Sequence, residues 1–79
     1  MKLFRLSSRA TEKVQKHSDI ISEIWIHSIV TNLPKEKRVY LNEEEYKLIV
    51  NKRKKQVTLL VHEYEYETVV YGIHVTKIY

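Results

Sequence analysis

Residues 57–61 and 69–75 read VTLLV and VVYGIHV. Each run sets apolar side chains at odd positions: Val57, Leu59 and Val61, then Val69, Tyr71, Ile73 and Val75. A repeat of two marks a half-buried strand, because successive side chains point to opposite faces of a sheet. Both runs must present that odd set to one core. Directly opposite residues share a face, so the numbers of paired residues add to an even value, about 130 or 132. This predicts a hairpin whose connection, around Tyr64–Tyr66, has odd length and is not a two-residue turn. HEYEYE contains no Gly, Asn or Asp, which points to a longer, bulged connection. Gly72 inside the second run predicts a bulge or a close backbone approach.

Upstream, residues 8–32 predict a helix. Val14, Ile21, Ile24, Trp25 and Ile29 recur at spacings of three, four and seven, and Ile20, Ile26 and Val30 widen the stripe. Trp25, in the middle of the stripe, is expected in the core. Ser8 is a candidate start cap and NLP, at 32–34, a stop. A break near KHSD is compatible, with Ser18 or Asp19 capping a second helix. The β-branched run EIWIHSIV has a buried strand as its competing reading. KRVYL, at 37–41, alternates as a short strand. In NEEEYKLIVNKRKK, Asn42 followed by Glu45 has the form of a capping box, and three acidic residues in a first turn suit the helix dipole. A short helix with Tyr46, Ile49 and Val50 on one face is the expectation. The competing reading makes YKLIV a strand and NKRKK a hairpin loop. The fold class is α+β: an N-terminal helix packed on a small antiparallel sheet of three to five strands with a C-terminal hairpin, in one domain over residues 1–79.

A 79-residue chain with no cysteine has no disulfide to supplement its core and no thiolate for zinc. Self-association is the usual remedy. The run VVYGIHVTKIY, taken as an edge strand, adds a reason to expect a homodimer. No run approaches the length of a membrane span, and an intracellular, cytoplasmic protein is expected. The net charge of +4 is unevenly spread: +2 over residues 1–33, +4 over 34–56 and −2 over 57–79.

The middle third carries two basic clusters: Lys35, Lys37 and Arg38, then Lys52, Arg53, Lys54 and Lys55. Placed on one face, they would make the spaced cationic points that phosphate contacts require. Tyr40 and Tyr46 lie nearby as stacking groups. The expected function is therefore a small basic nucleic-acid-binding protein making mainly backbone contacts, on DNA or RNA, without enzymatic activity. The alternative is a protein–protein module, such as an inhibitor or adaptor encoded by a virus or plasmid. It would bind through the helix and the hairpin residues Glu63, Tyr64, Glu65 and Tyr66. There is no Gly-rich phosphate loop and no nucleophile motif, so neither a catalytic residue nor a cofactor is assigned. His62 and His74 share a predicted sheet face but stand several residues apart along the hairpin, so no metal site is assigned either.

Two family patterns are visible. VTLLVHEYEYETVVYGIHVTKI resembles the last strands of Sm-like RNA-binding proteins, small ring-forming chains with an N-terminal helix and a five-stranded barrel. That resemblance implies a barrel and RNA contact. The glycines and aspartate of the family's first motif are missing from VYLNEEEYKLIVNKRKK, so no site residue is carried over. RVYLNEEEYKLI is similar to the strand and first helix of ribbon-helix-helix regulators, but VTLLV follows too soon for their second helix.

Overall fold

The computed structural model describes residues 2–78. The chain runs β1 (Leu3–Leu6), α1 (Ser8–Lys16), α2 (Glu23–Asn32), a 3₁₀ turn (Lys35–Lys37), β2 (Val39–Tyr40), β3 (Glu45–Lys52), β4 (Lys55–Glu63) and β5 (Glu67–Lys77). The five strands form one sheet in the order β1-β5-β4-β3-β2. All neighbours are antiparallel except β1, which runs parallel to β5. The α+β class is as expected, with a short strand before the first helix and a mixed sheet. The sheet is open, not the closed barrel of the Sm-like pattern.

The helical region splits in two. The Ser7 hydroxyl accepts from the Ala10 amide at 3.1 Å, and the Ser22 hydroxyl accepts from the Trp25 amide at 3.1 Å. Each serine satisfies one of the amides that a helix start leaves without a partner. Ser7 and Ser22 therefore hold the cap positions expected of Ser8 and of Ser18 or Asp19. EIWIHSIV is helical. Its buried residues are Ile26 and Val30, whereas Ile24 is 84% exposed and Trp25 is only half-buried. The broken helix is the reason. Ile20 and Ile21 reach the core from the linker between the helices, so the stripe drawn through one continuous helix has the wrong phase after residue 17.

The core lies between the helices and one sheet face. Tyr46 and Leu48 from β3, Val57, Leu59 and Val61 from β4, and Val70 and Ile73 from β5 meet Ala10, Ile20, Ile21, Ile26 and Val30. EYKLIVNK is a strand, not the short helix expected of it. Tyr46, Leu48 and Val50 stand opposite Val61, Leu59 and Val57, so the alternation of β3 completes the alternation of β4. Ile49, which a helix would have buried, is 46% exposed. The Asn42–Glu45 bonds do form. Asn42 Oδ1 accepts from the Glu45 amide at 2.9 Å and Asn42 Nδ2 donates to Glu45 Oε1 at 3.0 Å. They close the turn between β2 and β3 instead of starting a helix.

The β4–β5 register carries a bulge. Leu59 faces Ile73 and Leu60 faces Gly72, but Val61 faces Val70, which leaves Tyr71 as an extra residue. The odd parity predicted for all of VVYGIHV holds at Ile73 and Val75 and reverses at Val70 and Thr68. Val69, expected in the core, lies on the opposite face, in register with Arg5 and His62. The bulge also absorbs the odd residue assigned to the connection. The Tyr64 amide donates to the Glu67 carbonyl at 2.8 Å, with only Glu65 and Tyr66 at the tip. Gly72 fits both reasons given for it. It adjoins the bulge, and a Cβ there would come within 2.8 Å of Leu60 Cδ1.

β5 is an edge strand over only part of its length. β1 occupies its side over Glu67–Val70, and α1 flanks it at Tyr71–His74. The free edge expected of VVYGIHVTKIY is thus confined to the residues past Val70, where no strand pairs on that side; Tyr79, the last residue of that run, lies outside the described residues. No helix among the described residues is long and apolar enough to cross a membrane.

The helix phase has a direct test. Ile26 is fully buried, so Ile26→Ala should cost about 2–5 kcal/mol. Ile24→Ala should stay within about 0.5 kcal/mol. Urea midpoints of the two variants, compared at equal m-value, check both figures.

Candidate nucleic-acid interface

NKRKK is the β3–β4 hairpin turn. Asn51 faces Gln56 and Lys52 faces Lys55, which leaves Arg53 and Lys54 as the two tip residues. Both have left-handed backbones, with φ of 50° and 63°. Two-residue hairpins of this kind need positive φ at both positions, which is why Asn-Gly usually fills them. A residue with a Cβ costs roughly 1–2 kcal/mol in that region. The chain therefore carries two cations at a turn where local stability would favour small residues.

Across the strands the positive charge continues. Lys52 faces Lys55, and Lys55 faces Lys77 on β5. The three share the helix-side face, where the apolar rows end. Like charges directly opposite on a sheet are destabilising. Lys52 is held by Trp25, with Nζ 4.5 Å from the ring centroid. Arg53 donates to the Asp19 carbonyl at 2.8 Å, which ties the turn to the linker between the helices. Among the described residues, none of Lys52, Arg53, Lys54, Lys55 and Lys77 has a carboxylate partner. Lys13 and Lys16, in the last turn of α1, lead into that same linker.

The other basic cluster lies elsewhere. Lys35 and Lys37 are exposed on the 3₁₀ turn before β2. Arg38 precedes Val39, which faces Lys47, five residues back along β3 from Lys52. That separation is roughly 17 Å at about 3.3 Å per residue. The two clusters are thus not brought together. Arg38 is already engaged: its guanidinium lies 4.3 Å from the Tyr46 ring centroid and donates to the Tyr40 hydroxyl at 3.2 Å. Tyr46 is buried and offers no stacking surface, whereas Tyr40 is half exposed.

The opposite end of the sheet is acidic but largely paired. Tyr64 and Tyr66 are exposed beside Glu65 at the β4–β5 tip, and Tyr64 stacks on His62 at 4.0 Å. Glu63 points inward, unlike the surface residue expected. It accepts from Tyr46 Oη at 2.8 Å, Thr68 Oγ1 at 3.0 Å and Lys2 Nζ at 2.7 Å. Burial pushes the Glu63 carboxyl up, but these donors outweigh it and hold the group below the ordinary range. Burial and the bond to Glu63 push the Tyr46 phenol up. A cavity of about 520 Å³ opens above this cluster, lined by Phe4, His27, Thr31 and Arg38 among others. Arg5 pairs with Glu67 at 3.1 Å, and His62 Nε2 lies 3.2 Å from Glu44. His62 faces Val69 and His74 faces Thr58, on one face and well apart, as expected from the sequence.

Lys77 joins the basic end without having been singled out in the sequence. Its signal was present, because Lys55 and Lys77 satisfy the even pairing rule drawn from the apolar residues. No family model matches the chain, and neither a curated protein nor a solved structure shows significant similarity to it.

Two outcomes follow from this geometry. Lys54→Gly should raise stability by about 1 kcal/mol, since glycine adopts the left-handed backbone without a Cβ penalty; thermal or urea unfolding reads this. Glu63 concerns pH. A carboxyl lowered on folding stabilises the chain above its unfolded value, near 4.5, and that contribution is lost as pH falls through the folded value. Glu63→Gln should therefore lower stability at neutral pH and make the decline below about pH 4.5 shallower. Unfolding midpoints taken from pH 7 to pH 3 check the sign.

Proposed function

We propose that this chain is a small, non-enzymatic nucleic-acid-binding protein that docks the basic end of its sheet on the phosphate backbone, with little readout of sequence. One observation carries the reading: Lys52, Lys55 and Lys77 stand side by side on three strands without a carboxylate partner among the described residues, beside a turn that spends two cations on left-handed positions. A row of like charges that weakens the fold is compensated when an anionic polymer lies across it, because neutralised phosphates release their condensed counterions. Single-stranded and double-stranded DNA and RNA all present that chemistry. A cytoplasmic setting goes with such a partner.

A second reading keeps one specific support. Tyr66 is 74% exposed at the β4–β5 tip, beside Tyr64 and Glu65. Exposed tyrosines are enriched where proteins meet proteins. A contact made there would depend little on salt compared with phosphate docking.

Anisotropy of labelled oligonucleotides, titrated between about 50 and 200 mM salt, separates the two. The wild type should bind unrelated sequences alike and weaken steeply as salt rises. Replacing Lys54, Lys55 and Lys77 together by Gln should weaken every sequence to a similar extent and reduce the slope of log K against log salt by about 2–3. Absence of wild-type binding to any single- or double-stranded DNA or RNA at low salt would end the nucleic-acid reading.

A further inference from the structure

The sheet face away from the helix-side core carries a second, smaller basic feature. Leu60 and Gly72 are opposite one another, and Thr58 and His74 are the next pair but one along the same two strands, so Leu60, Gly72 and His74 share that face. α1 flanks β5 with Ala10 turned into the core, and Arg9 and Lys13, one turn apart on it, reach the rim of that face. With Tyr71 and Ile73 these residues line a pocket of about 160 Å³. Its floor is low because position 72 has no side chain; a Cβ would meet Leu60 Cδ1 at 2.8 Å.

The charge around the pocket has one sign. Arg9 and Lys13 are cations, His74 adds a ring nitrogen, and no carboxylate among the described residues lines the pocket. Burial, and after it the neighbouring Glu45 carboxylate, raises the Tyr71 phenol, so the tyrosine stays neutral and contributes its ring as a wall. Neither Arg9 nor Lys13 has an ion-pair partner among the described residues. Size narrows the ligand. Pockets for whole small molecules run from about 300 to 1,000 Å³, so 160 Å³ suits one tetrahedral anion and not a complete nucleotide. The guanidinium of Arg9 can give two parallel bonds to such a group, and Lys13 supplies a second charge.

We propose that this pocket is a single-phosphate site, with Arg9 and Lys13 as the charged clamp, His74 as a further donor and the bare Gly72 backbone as the floor. It is separate from the lysine row, which lies on the other face, and it stands whether or not that row binds nucleic acid. The phosphate has two available sources: a free phosphate or mononucleotide, or one backbone phosphate of a polymer that wraps past the α1 side of β5.

The test is a titration of the isotope-labelled full chain with inorganic phosphate at constant ionic strength, read at the backbone amides. Saturable shifts at Arg9, Gly72 and His74, at least about tenfold weaker in an Arg9→Gln/Lys13→Gln variant, support the site. Gly72→Ala should also abolish them, and the clash it introduces is with the far end of a flexible side chain, so the fold should hold. The Lys54, Lys55 and Lys77 triple variant should leave them unchanged. Competition then assigns the source: displacement by an oligonucleotide lacking terminal phosphates indicates the backbone, and displacement only by a mononucleotide indicates a free phosphate. Shifts confined to residues 52–55 and 77, no saturable shift, or shifts unaltered in the Arg9/Lys13 variant would each overturn the proposal. An oligonucleotide that binds while these amides stay silent overturns this site alone. Saturable phosphate shifts in a chain that binds no oligonucleotide overturn the backbone reading alone.

Discussion

The parallel pairing of β1 with β5 organises the rest of the molecule. Leu3 donates to the Tyr66 carbonyl and Ser7 to the Val70 carbonyl, both at 3.0 Å, so the first four-residue strand is laid beside the last. A parallel neighbour cannot be reached by a tight turn; the chain has to cross over the sheet first. Here both helices are spent on that crossing, and they bury one face. The first four residues of β5 are thereby moved inside the sheet, and the outermost strands are β1 and β2, which cover β5 only over Glu67–Val70 and β3 only at Tyr46 and Lys47. The rest of β3 and β5 has no strand neighbour on that side, so an edge is left there. The same pairing brings Lys2 and Arg5 to Glu63 and Glu67. The Arg5–Glu67 pair is exposed and worth little. The Lys2–Glu63 pair joins an exposed lysine to a part-buried carboxylate and belongs to a network with Tyr46 and Thr68, in which each member satisfies another's polar group.

The bulge at Tyr71 is the second constraint, and it acts on both faces. On the helix side it lets Val70 and Ile73 face the core, although they lie three residues apart and a regular strand would point them in opposite directions. On the other side it places Val69 between Arg5 and His62 and leaves Gly72 beneath Leu60. The glycine is needed less for its dihedral freedom than for the space above it, because its φ is negative. One inserted residue therefore completes the core and shapes the small basic pocket at the same time.

What could be read from the sequence follows the range of the forces involved. The alternation in VTLLV placed β4 and its buried set correctly, because period two over five residues is a local signal with one meaning. The same rule fails in VVYGIHV before Gly72, because a bulge leaves no mark on the pattern except the glycine itself. NEEEYKLIV was misread for a different reason. The bond from the Glu45 amide to Asn42 Oδ1 is common to a helix cap and to this tight turn, and only the Glu45 carboxylate, bonded to the Asn42 side chain and not to its backbone amide, departs from the cap. Only the pairing of Tyr46 and Leu48 with Val61 and Leu59, set by residues far along the chain, decides between them. The basic turn was legible as a run of cations. Its relation to Lys77 and its separation from Arg38 required the register, which is a property of the whole sheet.

The two ends of the sheet differ in how their charges are satisfied, and that difference bears on what the free charge is for. At the acidic end, Glu63 has three donors, Glu67 has Arg5, and Glu44 and Glu45 lie beside His62. Glu63 and Glu67 are paired with cations within the fold, and among the described residues Glu43, Glu44, Glu45 and Glu65 have no Lys or Arg partner and remain as the counter-charge another copy of the chain would meet there. At the basic end, Lys52, Lys55 and Lys77 face one another, and no carboxylate among the described residues relieves them. Head-to-tail association of copies would therefore set the lysine row against an end where Glu63 and Glu67 are already paired, which weakens the electrostatic match. The polyanion proposed as partner would be the better complement. It brings the density of negative charge that the chain lacks, and it tolerates the spacing of lysines on adjacent strands, about 4.8 Å apart, because phosphate contacts depend on charge and reach more than on fixed geometry.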